Sequence, residues 1–205
     1  MLYDDWLFQR TTPSDQFNNE YVRSLVQYLQ WQQGGRKGRR WLLKTTQHLA
    51  YLDEVLAVYP NASMFHIHRH PRQFLGSLCW MLSRVWALSV DGVDPHVVGR
   101  QCLMREKREI DRYLEARKRL NLDDRIYDVQ YEQIRKDPMP VFREVYRRAG
   151  HVLTPQAETG MIAWERQNEQ GKHGSYSYDL TDFGLSEEIV ADAFGEYIDR
   201  FVSAS

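Results

Sequence analysis

"MFHIHRHPRQFLGSLCW", residues 64–80, changes character half-way along. Its first part reads as a buried strand that stops at a cluster of His and Arg. Pro71 then suits the first turn of a helix, because the N–H it lacks would have had no partner there. Arg69 therefore stands where a strand ends and a helix begins, and Ser77 follows six residues after Pro71, ~9 Å further along the helix axis. The two groups cannot share an anion at the helix tip, but they can share one lying beside the first two turns. Arginine presents a planar fork of donors that matches phosphate and keeps its charge at ordinary pH. Free N–H groups at the helix start add to that attraction. The same spacing also fits a surface ion pair for Arg69 and an exposed helix position for Ser77.

The elements on either side set the class. A helix is predicted over about Asn18 to Gln33, with Tyr21, Leu25, Tyr28 and Leu29 as its apolar positions and "GGRKG" as its stop. "RWLLKT" (40–45) is a short apolar run after a Gly-rich turn and predicts a first strand. Thr46 is placed to cap the next helix, whose stripe is Leu49, Leu52, Leu56 and Tyr59 and whose end is Pro60. A long charged helix, "PHVVGRQCLMREKREIDRYLEARKRL", offers Cys102, Ile110, Tyr113, Leu114 and Leu120 to the core. "RIYDVQY" (125–131) predicts a third strand. Asp137 caps a helix that opens at Pro138, and Ser186 with Glu187 and Glu188 starts the last one. Strands alternating with helices imply an α/β domain, a parallel sheet flanked by helices. In such sheets ligands gather beyond the carboxyl ends of the strands. Lys44, Arg69 and Tyr131 each stand at such an end.

Composition narrows the function classes. The 205 residues carry no linker or low-complexity run, so residues 1–205 are read as a single domain. A net charge of −1 gives no global bias toward nucleic acid or acidic lipid. Arg36, Lys37, Arg39 and Arg40 form a local basic turn, too few charges for a nucleic-acid footprint. No apolar stretch is long enough to span a bilayer, and "MLYDDWLFQR" lacks the pattern of a secretory signal. Nucleic acid and membrane are therefore not expected partners, and the cytosol is the expected compartment. Cys79 and Cys102 fit neither a disulfide framework nor a zinc cluster and read as buried free thiols.

At this point the residues resemble a family. "RWLLKTTQHLAYLDEVLAVYPNASMFHIHRHPRQFLGSLCWML" is similar to the PAPS-dependent sulfotransferases, above all the largely bacterial sulfotransferase-like group. In that family an Arg at a strand end and a Ser eight residues later hold the 3′-phosphate of the sulfate donor, and Arg69 and Ser77 have that spacing. "DVQYEQIRKDPMPVFREVY" resembles the family's strand, Tyr-Glu, Asp-Pro and helix order, and "KHGSYSYDLTDFGLSEE" its closing loop and last helix. The resemblance implies the P-loop NTPase-like sulfotransferase fold and 3′-phosphoadenylyl sulfate (PAPS) as donor. It also implies a small-molecule or glycan acceptor bearing a hydroxyl or amine, and no metal.

"LLKTTQH" sets Lys44 at a strand end and His48 four residues on, in the first turn of the next helix. Sulfuryl transfer requires the acceptor to lose a proton and the leaving phosphate to carry added negative charge. A histidine suits the first task and a lysine the second, which makes His48 the candidate base and Lys44 the electrostatic stabiliser. Many relatives place Pro where Thr46 stands, and the better-known cytosolic enzymes place the His at that position. His48 also fits a residue that merely caps the helix start. The resemblance puts Tyr131 beside the adenine, where packing on a neighbouring strand is the ordinary alternative. It puts Lys172 and Gly174, from "GKHG" (171–174), in the loop that closes over the 3′-phosphate, where a plain solvent loop is the alternative.

The family opens with a strand and a Gly-rich or Ser/Thr-rich loop around the donor's 5′-phosphate and sulfate. "GGRKGRR" has glycines and charge but neither GxxxxGK[ST] nor Gly-Thr-Thr order, and it precedes a strand. The chain thus reads as an amino-terminally shortened member, and a non-catalytic remnant that binds a nucleotide or a partner is the main alternative. His66, His68 and His70 alternate along the strand as zinc-binding His-x-His does, which suggests a metal-dependent hydrolase. His48 is the available extra ligand there, and no acidic residue is evidently placed to complete the set.

Overall fold

The computed structural model describes residues 12–35, 40–168 and 178–202. They fall into two compact units, one drawn from Met1–Ala62 with Arg108–Asn121 and the other from Ser63–Lys107 with Leu122–Ser205. Each is described by itself.

The first unit is helical. Helix α1 spans Thr12–Gln32, a 3₁₀ turn spans Gln47–Tyr51, and α2 spans Leu52–Val58. The Tyr59 hydroxyl donates to the Asn19 carbonyl at 3.3 Å, linking the end of α2 to α1. In α1 the residues expected to form an apolar stripe, Tyr21, Leu25 and Tyr28, are exposed. In α2 the core positions are Leu52, Val55 and Val58, where the sequence pattern predicted Leu52, Leu56 and Tyr59. The 3₁₀ turn accounts for the slip, since it advances 120° per residue against 100° in an α-helix and shifts the phase of the face that follows. Thr46 makes no side-chain cap. Residues 40–45, expected as a strand, are irregular and exposed. A β-strand needs a hydrogen-bonded neighbour, and among the described residues this run has none.

The second unit holds a two-stranded sheet, β1 (Met64–His68) beside β2 (Ile126–Gln130). The strands run parallel, with Met64 opposite Ile126, His66 opposite Asp128 and His68 opposite Gln130. Parallel neighbours cannot be joined by a hairpin, and the crossover contains α3 (Pro71–Trp86) and α4 (Pro95–Arg119), of which residues 108–119 count with the first unit. After β2 come α5 (Tyr131–Lys136), α6 (Pro138–Arg148), α7 (Pro155–Gln167), a 3₁₀ turn (Leu180–Phe183) and α8 (Glu187–Phe201). The expected α/β class holds, a small parallel sheet flanked by helices.

Local chemistry explains where these helices start. Pro71, Pro138 and Pro155 each occupy a first turn. The side chains of Asp137, Thr154 and Ser186 accept from backbone N–H groups at Met139, Ala157 and Ile189. Leu75, Cys79, Val98, Val129 and Val190 are buried in the core. A Cβ on Gly99 would lie 2.0 Å from the Phe183 carbonyl oxygen, so α4 packs against the second 3₁₀ turn at a separation only glycine permits. Cys79 and Cys102 are buried free thiols joined by a hydrogen bond, which with burial pushes the Cys102 thiol up. Among the described residues no helix is long and apolar enough to cross a membrane.

Candidate functional site

The two strands end side by side, and each hands the next residue to the same rim. Arg69 follows β1 and Tyr131 opens α5 directly after β2. The Arg69 guanidinium carbon lies 4.6 Å from the centre of the Tyr131 ring, a cation–π contact. Arg69 Nε donates to Gln73 Oε1 at 3.2 Å, one helical turn into α3, which fixes the plane of the fork. Ser77 lies half-buried on the same helix. Beside it, Gly76 is buried under the Tyr178 ring, so closely that a Cβ there would meet a ring carbon at 2.8 Å.

The α3 N-terminus differs from the sequence expectation of free N–H donors. Pro71 has none, the Arg72 amide donates to His70 Nδ1 at 3.2 Å, and the Gln73 and Phe74 amides donate to the His70 carbonyl. His70 has left the strand and acts as the cap. Burial, and then the Arg72 charge, hold its imidazole below its ordinary value, with Glu187 pulling the other way. That direction suits the role, since Nδ1 must be unprotonated to accept. An anion at this rim therefore depends on side chains.

Behind the rim lies a network that sequence reasoning reached only in part. His66, His68 and Asp128 bring three ligand-type atoms within 4.8 Å of one another. The acidic residue that the sequence did not place is thus supplied by β2, because the ladder sets His66 opposite Asp128. The geometry is that of hydrogen bonding. His68 Nε2 lies 2.7 Å from Asp128 Oδ1, and His68 Nδ1 lies 3.0 Å from the Tyr197 hydroxyl. Two ligands of one tetrahedral zinc sit ~3.3 Å apart, given ~2.0 Å bonds, so the His68–Asp128 pair is too close for shared ligation as it stands. His68 is 1% exposed, with both ring nitrogens occupied.

Lys44 and His48 belong to the first unit. Lys44 is exposed in the irregular run rather than at a strand end. His48 sits half-buried in the 3₁₀ turn, and that burial holds its imidazole below the ordinary histidine value. Lys172 and Gly174 lie outside the described residues. Of the predicted set, the structure brings Arg69 and Tyr131 into contact. Gln73, Asp128, Tyr178 and Tyr197 were not singled out by the sequence. Gln73 was findable by its i+4 spacing from Arg69, whereas Tyr197 reaches His68 from 129 positions away, with no local signal.

A family model described as "Sulfotransferase family" matches residues 5–155. The chain belongs to the sulfotransferase family. Among solved structures it is similar to sulfotransferase STF9 from Mycobacterium avium, at 31% identity and a TM-score of 0.72, over 79% of this chain and 42% of that one. It is also similar to sulfotransferase STF1 from Mycobacterium tuberculosis H37Rv, at 28% identity and a TM-score of 0.63, over 77% of this chain and 40% of that one. The chain thus spans about two fifths of the length of each of these sulfotransferases. No curated protein matches the sequence.

Proposed function

We propose that this chain carries the 3′-phosphate half of a PAPS site and serves sulfuryl transfer to a hydroxyl or amine acceptor. The observation that supports this most directly is the Arg69–Tyr131 pair at the adjoining ends of the parallel strands, with Ser77 on the helix that follows. Gln73 holds Arg69 by Nε, so the terminal nitrogens of the guanidinium are the edge for bidentate grip on a phosphate. Ser77 donates its hydroxyl to the same anion from the helix flank. Tyr131 offers a ring for the adenine, and the family resemblance assigns Lys172 and Gly174 to the 3′-phosphate as well.

In the transfer step the acceptor oxygen or nitrogen forms a bond to sulfur while the bond from sulfur to the phosphate oxygen breaks. The electron pair of that bond leaves on adenosine 3′,5′-bisphosphate, and the acceptor's proton passes to His48. A base must begin unprotonated, and the lowered pKa of His48 keeps it neutral at pH 7. Lys44 offsets the charge that grows on the leaving phosphate. The sulfuryl group moves without redox change, and the charge on the leaving phosphate is assigned to Lys44 rather than to a metal ion. In this reading the acceptor is a small molecule or glycan and the compartment is the cytoplasm.

The test is to incubate the chain with PAPS and a panel of hydroxyl and amine acceptors and measure adenosine 3′,5′-bisphosphate release. Acceptor-dependent release that His48→Ala abolishes, with donor binding spared, supports the reading. Donor binding without turnover would make this chain a nucleotide-binding remnant. Failure to bind the donor at all would contradict the proposal.

A further inference from the structure

Both strands that deliver the nucleotide grip are tied at their last residue to one element, the C-terminal half of α8. His68 ends β1, with Nδ1 3.0 Å from the Tyr197 hydroxyl and its ring stacked on Phe201 at 4.4 Å and 7° between planes. Gln130, its partner in the ladder, ends β2 and donates from Nε2 to the Phe201 carbonyl at 2.7 Å. Arg200 forms an ion pair with Asp123, in the turn leading into β2, at 2.6 Å. The next residues in sequence after these two strand ends are Arg69 and Tyr131.

The helix is shaped for this task. Phe194, 2% exposed, has non-helical backbone angles (φ −120°, ψ 17°), so α8 kinks there and its last turns take their own direction. Tyr197 and Phe201 are both buried on the face that meets the sheet. Asp128 closes the arrangement from β2, 2.7 Å from His68 Nε2, and among the described residues every buried side-chain nitrogen and oxygen has a partner. A satisfied buried polar network specifies position more sharply than apolar packing does.

We propose that α8 is the positioning element of the nucleotide site: through Tyr197 and Phe201 it fixes His68 and Gln130, and so sets Arg69 against Tyr131 at the spacing that reads a 3′-phosphate. This rests on the donor-binding reading above and deepens it, since it assigns the source of discrimination between 3′-phosphorylated and plain adenosine nucleotides. Neither Tyr197 nor Gln130 touches the nucleotide in this account, and each acts through its strand end.

The experiment compares affinities of the full chain for adenosine 3′,5′-bisphosphate and for adenosine 5′-phosphate, and reads their ratio. Wild type favours the bisphosphate, and Arg69→Ala brings the ratio near one. Combining Tyr197→Phe with Gln130→Leu removes both side-chain hydrogen bonds to α8, and with them the Gln130 half of the α5 capping box, while Arg69 stays in place. That variant should lower the ratio roughly tenfold, the scale of a weakened polar grip. A variant that only folds less well loses affinity for both nucleotides by one factor and keeps the ratio, an outcome that overturns the proposal even if little folded protein remains. A wild-type ratio in the double variant alongside a lost ratio in Arg69→Ala overturns it too, leaving the donor reading intact. A wild type with no preference for the bisphosphate removes the donor reading, and this proposal with it.

Discussion

The position of Arg69 was legible in the sequence, because an apolar run that stops just before a Pro-led helix sets it at a strand end. Its environment was not, since Gln73 and Tyr131 both meet it and only the first is close in sequence. The nearby His70 gives a prediction about pH. Its folded-state pKa is lowered, so the folded protein binds fewer protons there than the unfolded chain. The contribution of the cap is therefore present above the ordinary histidine value of about 6.5 and is lost as pH falls below it. Chemical denaturation at pH 7.5 and pH 5.5 should show a loss of stability that His70→Asn, which keeps a capping acceptor without the titration, reduces. His48 follows the same sign for catalysis. The acid limb of kcat/KM should fall below pH 6.5, because burial keeps this imidazole neutral further down. A limb centred above that value would exclude His48 as the base.

At the scale of elements, two of the three caps read from sequence hold, and the third, Thr46, does not. Asp137 and Ser186 were expected to start helices and do so with hydrogen bonds of 3.1 and 3.2 Å. Replacing either by alanine should cost about 1 kcal/mol in denaturant unfolding. The strand expected at 40–45 failed for a plain reason. Apolar composition marks a segment that can pair, and pairing depends on a neighbour that local pattern does not supply. Core positions give a larger effect. Leu75 is 0% exposed on α3, and Leu75→Ala should lose about 2–5 kcal/mol through transfer and cavity terms. Gly99→Ala should be severely destabilising, because the obstacle is the Phe183 backbone rather than a movable side chain. A melting temperature near wild type for Gly99→Ala would show that this packing is wrong.

For the molecule as a whole, class and element order were readable because periodicity and turn residues are local properties. The relay from Tyr197 through His68 to Asp128 was not, since it joins residues 129 and 60 positions apart. Cys79 and Cys102 report on the integrity of the second unit. Both thiols are buried, so a thiol-reactive dye should label neither until the protein unfolds, and rapid labelling under native conditions would contradict the packing of α3 against α4. The sulfotransferase family match and the two mycobacterial structures bear on the fold, and the nucleotide grip proposed for Arg69 and Ser77 is tested by one binding measurement. Calorimetric titration of adenosine 3′,5′-bisphosphate into the chain, with and without the combined Arg69→Ala and Ser77→Ala substitutions, is that measurement. Saturable binding by wild type is expected, with a loss of at least a hundredfold in the double variant, about 2.8 kcal/mol at ~1.4 kcal/mol per tenfold. Equal binding by the two proteins would contradict it.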